Sequence, residues 1–130
     1  MRRLHVAVLV SILLGCLVGC GSPQNLRVTD IQIGRSLNAD NSVREHATSF
    51  APSDTVCLSV LTAGAGSGTI SVRWTYAGRV VDEPKKPVSY RDVAATDFRL
   101  QGAGGLPAGE YTAEVFLEGQ PAGSRTFRVQ

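Results

Sequence analysis

An all-β, two-sheet antiparallel sandwich is the fold that the sequence predicts, and two patterns predict it. Apolar residues recur at every second position in several separate stretches, which is the spacing of a half-buried strand. Clusters of Gly, Pro, Asn and Ser interrupt those stretches at intervals of roughly ten residues, as in sandwiches and barrels. No stretch shows a convincing helical stripe. The chain has 130 residues, which suits one domain and excludes a TIM barrel or a two-domain enzyme. Its charged fraction of 18% lies below the roughly 25% of an average soluble domain, so a disordered, solvating chain is excluded as well.

The first element is not part of that sandwich. Arg2 and Arg3 precede an uncharged apolar run from Val6 to Val18. Thirteen helical residues would cover roughly 20 Å, short of the ~30 Å hydrocarbon core, so the run reads as a secretory signal peptide and not a spanning helix. Its end, Leu17-Val18-Gly19-Cys20, resembles the lipobox of bacterial lipoproteins. The resemblance implies cleavage after residue 19 and a diacylglycerol on Cys20, hence a partner in the lipid bilayer. Leu13-Leu14-Gly15-Cys16 is a second possible box with a shorter apolar region before it. In a Gram-negative cell, Gly21 after the lipidated cysteine resembles the signal that sorts such proteins to the periplasmic face of the outer membrane.

Processing changes the arithmetic. Removal of residues 1–19 leaves 111 residues, and the loss of Arg2 and Arg3 reduces 13 basic side chains to 11, against 11 acidic ones. The mature chain is formally neutral, and a nucleic-acid partner loses its electrostatic support. Cys57 becomes the one free thiol, so no intramolecular disulfide is expected. With His46 the one remaining histidine, far from Cys57 in sequence, neither a metal site nor a cofactor is expected.

The strands follow in order after a short tether, residues 20–25. Leu26–Ile33 is a first, irregular strand. Residues 34–54 are polar and poorly patterned, and read mostly as loop with at most a short edge segment. Thr55–Thr62 places Val56, Leu58 and Val60 on one face with Cys57 opposite. After a glycine-rich turn at 64–68, Thr69–Tyr76 places Ile70, Val72 and Trp74 together. Ala77-Gly78 suits a hairpin into Val80–Glu83. Pro84 and Pro87 bracket a lysine pair and forbid regular central pairing there. Ala95–Gln101 aligns Thr96, Phe98 and Leu100, and Glu110–Glu118 aligns Tyr111, Ala113, Val115 and Leu117. A turn is expected at 119–123, before a last strand, Arg125–Val129. About seven strands result.

Two features sharpen the architecture. Trp74 lies on the third strong strand, and Leu106-Pro107-Ala108-Gly109-Glu110-Tyr111 looks like the turn that sets up a tyrosine corner. With them, the block from FAPSDTVCLSVLT through VRWTY to LPAGEYTAEVFLEGQPAGSRTFRV resembles small immunoglobulin-like domains of bacterial envelope proteins. The resemblance covers roughly residues 50–130 and implies an immunoglobulin-like sandwich over 26–130, with a buried Trp74. It departs from the antibody pattern at Ala113, where a cysteine would stand. Its motifs mark a fold and not an activity.

Catalytic readings find little to stand on. A nucleophilic triad would need His46, in the unpatterned segment, and no Gly-x-Ser-x-Gly elbow occurs around Ser67. Gly64-x-Gly66 and Gly102-x-Gly104 lack the last glycine of a dinucleotide fingerprint and precede no helix. Asp82-Glu83 and Lys85-Lys86 read as solvated tips, the lysines with a second use against anionic lipid headgroups. Cys57 is either a small apolar residue under a covering loop or an accessible thiol. Strand pairing is expected to bring Phe116 beside Arg73 and Arg128, as a surface cation–π cluster or a protein-docking face. The expected function is that of a lipid-anchored, non-catalytic module that binds another envelope protein. The competing expectation is a binder of a small molecule or glycan at the loop end, built partly by residues 35–54.

Overall fold

The computed structural model describes residues 25–130. The leader, the lipidation candidates Cys16 and Cys20, and the tether up to residue 24 lie outside the described residues. The described chain forms strands β1 (Arg27–Leu37), β2 (Val43–His46), β3 (Ser49–Phe50), β4 (Val56–Ala63), β5 (Gly66–Tyr76), β6 (Arg79–Asp82), β7 (Lys85–Tyr90), β8 (Ala94–Leu100), β9 (Gly109–Leu117) and β10 (Gln120–Val129). They lie in two sheets. One has the order β2-β1-β4-β8, and the other β3-β10-β9-β5-β6 with β7 also paired to β5. The ladders are antiparallel apart from the short parallel pair of β3 and β10.

Period-two alternation aims one side of each long strand at the space between the sheets. Val56, Leu58 and Val60 on β4 face Ile70, Val72 and Trp74 on β5 and Tyr111, Ala113 and Val115 on β9, all buried in one core. Phe127 on β10 is its aromatic hub. Its ring stacks on Tyr111 at 5.1 Å and meets Phe50 and Trp74 edge-on at 5.5 and 6.0 Å, which suits the ring quadrupoles. The Tyr111 hydroxyl donates to the Pro107 carbonyl oxygen at 2.7 Å, closing the tyrosine corner that the turn implied. Ala113 is buried at the position where a cysteine would stand in an antibody domain.

The segment 34–54 is not mostly loop. β1 runs on to Leu37, turns, and returns as β2, and β3 then joins the edge of the other sheet beside β10. Val43 and Phe50 are buried in a stretch of otherwise polar residues, so the segment has anchors but no period to reveal them. Gly34 makes the hairpin possible. A Cβ there would collide with the Glu45 carbonyl oxygen and the Val43 side chain, so only glycine lets the two strands approach.

Two further boundaries move. The last turn is not at 119–123 but at Glu118-Gly119, where φ values of 52° and 79° give the two-residue hairpin turn suited to twisted strands. The following Gln120-Pro121-Ala122-Gly123 reads as turn, yet β10 runs through it, with a register shift between Pro121 and Gly123. Pro84 separates β6 from β7, and regular central pairing is absent there as expected, but the lysine pair still lies in a strand. β7 lies on an edge of the sheet, where Pro87 opposite Thr69 is tolerated.

Candidate interaction face

The outward side of the six-stranded sheet is set by the same alternation that builds the core. Register places Arg73 opposite Glu114, and Ser71 opposite Phe116. The Arg73 guanidinium carbon lies 4.7 Å from the centroid of the Phe116 ring. Two carboxylates hold it there: Nη2 is 3.5 Å from Glu83 Oε2, and Nη1 is 3.8 Å from Glu114 Oε1. Each of these partly exposed ion pairs contributes at most about 1 kcal/mol, and the cation–π contact a similar amount. Their joint effect is to fix one geometry: a half-buried aromatic ring capped by a guanidinium that two carboxylates hold.

Arg128 is not part of that cluster, contrary to the expectation from sequence. It lies opposite Glu110, while Phe116 lies opposite Pro121, so the two sit toward opposite ends of the β9–β10 ladder. Six strand positions separate Glu110 from Phe116, roughly 20 Å along β9. Arg128 shares the outward face and approaches Glu110 at 4.0 Å. Between the two ends, Thr75, Thr112 and Thr126 form a row across three strands. Glu83 and Glu114 were missed because charge pairing across strands depends on register, which the sequence does not print. Asp82-Glu83 is therefore not merely a soluble tip.

The outward side of the four-stranded sheet is covered. The β1–β2 hairpin folds across it, with the Val43 amide donating to Gln32 Oε1 at 3.1 Å. Beneath it Ser59 is fully buried and Cys57 is 5% exposed. Of the two readings of Cys57, the structure shows the residue under a covering segment. Burial pushes its thiol above the usual value, with Asp97 adding to the effect and Arg99 opposing it. A thiol held protonated in this way is a poor nucleophile.

A cleft of about 520 Å³ opens beside the hairpin, lined by Arg35, Asn38, Asn41, Cys57, Arg99 and Gln101 among others. Its guanidiniums are already engaged: Arg35 pairs with Glu45 and Asp54 at 3.3 and 3.4 Å, and Arg99 with Asp97 at 3.3 Å. His46 is exposed on β2. Among the described residues no group of three or more His, Cys, Asp and Glu side chains is placed to hold a metal ion.

The lysine pair divides. Lys85 is exposed, but Lys86 is half-buried, its ammonium on the Asp97 carbonyl oxygen, 3.4 Å from the Asp97 carboxylate and 5.0 Å from the Phe98 ring centroid. It is not a solvated tip.

No protein-family model matches the chain, and no curated protein sequence does. The fold has relatives among solved structures. An immunoglobulin-like protein from Pseudomonas aeruginosa superposes with a TM-score of 0.57 at 13% identity, covering 85% of this chain and all of that one. An alkylpurine DNA glycosylase from Pseudomonas fluorescens, solved with DNA containing an abasic site analog, gives a TM-score of 0.48 at 9% identity. That match covers 81% of this chain and 30% of the glycosylase.

Proposed function

From the immunoglobulin-like sandwich, and from likeness in fold alone, we propose that the protein is a lipid-anchored, non-catalytic module of the bacterial cell envelope. Cys20 carries the lipid, and in a Gram-negative cell the protein sits on the periplasmic face of the outer membrane. The outer face of the six-stranded sheet holds another envelope protein. One observation carries the binding reading: Phe116 stands half-exposed under a guanidinium that Glu83 and Glu114 hold in place, on the one sheet face that no hairpin covers. Aromatic and arginine side chains are the residues enriched at interface centres. Arg128, roughly 20 Å away, falls within the ~800 Å² that a standard interface occupies on each partner.

In-cell crosslinking of the lipoprotein, read by mass spectrometry, tests the face. The Arg73→Glu and Phe116→Ala variants lose a partner that the parent recovers; an unchanged set of crosslinks in both variants overturns the reading. Metabolic palmitate labelling tests the anchor. Label lost in Cys20→Ala supports lipidation there, and label retained moves the lipid to Cys16 or elsewhere. The cleft beside the β1–β2 hairpin favours a second reading, a small molecule or glycan held by Asn38, Asn41 and Gln101. A ligand-induced rise in melting temperature, abolished by Asn41→Ala or Gln101→Ala, would identify that ligand.

A further inference from the structure

The strand register determines which end of the sandwich meets the tether. Asn25 bridges Ala65, and β1 begins with Arg27 opposite Ala63, so the chain arrives at the end that carries the β4–β5 turn. Pairing of Thr62 with Ala94 puts the β7–β8 turn, Arg91–Val93, at that same end. The Glu118 amide on the Thr69 carbonyl oxygen brings the β9–β10 turn there too.

Val93 is 72% exposed, against 53% and 49% for Val80 and Val81, the other exposed large apolar side chains among the described residues. A hollow of about 280 Å³ lies beside it, lined by Leu61, Ala94 and Ala95 and, from the β1–β2 turn, by Asp40 and Ser42. Arg91 and Arg27 are exposed at this end. The neighbouring carboxylates each accept a backbone amide: Asp92 Oδ1 that of Val93 at 2.7 Å, Glu118 Oε2 that of Thr69 at 3.0 Å, and Asp40 Oδ1, at the rim of the hollow, that of Ser42 at 2.9 Å.

We propose that this tip is a membrane-contact surface, with Val93 in the interfacial layer of a lipid bilayer and Arg91 and Arg27 against lipid phosphates. The inference rests on the reading that Cys20 is lipidated. Residues 20–24 can then span at most about 18 Å between the anchor and the domain. β8 lies two strands from β1, about 10 Å across the sheet, so the Val93 turn stays within that reach. An exposed valine beside guanidiniums on apolar stems is the chemistry that an interface of headgroups and acyl chains accommodates.

The test uses the lipidated full chain in vesicles of phosphatidylethanolamine and phosphatidylglycerol, with a diazirine-bearing amino acid at position 93 or, at the opposite end, at position 103. After illumination, phospholipid adducts are expected at 93, several-fold above those at 103. Equal, background-level adducts at both positions in vesicle-bound protein overturn the proposal, as do adducts at 93 to protein instead of lipid. Flotation of the same samples separates the two readings. Protein that fails to float with the vesicles overturns the Cys20 anchor and this inference with it, whereas protein that floats without lipid adducts at 93 overturns this inference alone.

Discussion

The Lys86 ammonium donates to the backbone carbonyl of Asp97, joining the edge of one sheet to the edge of the other. β7 belongs to the six-stranded sheet and β8 to the four-stranded one, so the contact closes the side of the sandwich where no ladder runs. Tyr90 and Thr96, in hydroxyl contact at 2.8 Å, form a second such stitch. The lysine also occupies an acceptor on an edge strand that would otherwise be open to another chain. Lys86→Ala should therefore lower stability by about 1 kcal/mol, a drop in melting temperature of roughly 4–8 °C. Lys85→Ala should leave it unchanged; equal effects of the two variants would refute the assignment.

The tyrosine corner gives a second expectation. Tyr111→Phe keeps the ring stacked on Phe127 and removes one hydrogen bond, so denaturant unfolding should show a loss of about 1 kcal/mol. Phe127→Ala removes the hub of four aromatic rings and should cost about 3–5 kcal/mol. A Phe127→Ala variant no worse than Tyr111→Phe would show that the core is not organised around that ring.

Gly34 and Cys57 can be read together. Gly34→Ala forces β2 away from β1, and the hairpin is what shields the thiol. Maleimide should react slowly with Cys57 in the parent and many-fold faster in Gly34→Ala, under conditions where both remain folded by circular dichroism. Equal rates would mean that something other than the hairpin covers the sulfur. The same burial predicts no covalent dimer on non-reducing gels; a dimer band lost in Cys57→Ser would contradict it.

Stability should decline in alkali for a stated reason. Burial raises the pKa of Cys57 above its ordinary 9.0, and burial with the adjacent Tyr76 raises that of Tyr111 above 10.0. Both groups are neutral in acid, so below pH 9 neither alters the balance between folded and unfolded chain. Above pH 9.0, and again above 10.0, the unfolded chain loses protons that the folded one retains, and stability falls. Cys57→Ala should delay the onset to the tyrosine step. An onset unmoved by that substitution would mean that the thiol is not protected.

Much of the sandwich was legible because alternation is a local signal. The faces of β4, β5, β8 and β9 follow directly from Val56, Trp74, Phe98 and Tyr111 and their neighbours two residues away. β2 and β3 were hidden because their anchors, Val43 and Phe50, stand singly among polar residues, and the hairpin depends on a close approach at Gly34. The Arg73–Phe116 pair was readable from strand order alone. Arg128 was misplaced because position along a ladder depends on the Glu118-Gly119 turn, whose length sets the register of β10. Lys86 was misread because its partner, a backbone carbonyl on another sheet, leaves no trace in side-chain chemistry.

Ala113, buried where a cysteine would pair across the sheets, has a consequence for manufacture. With no cross-link between the sheets, and Cys57 capped and protonated, this domain reaches its native state without any oxidant. It should form equally well in a reducing cytosol and in an oxidising extracellular space, and thiol reductants should leave its melting temperature where it was.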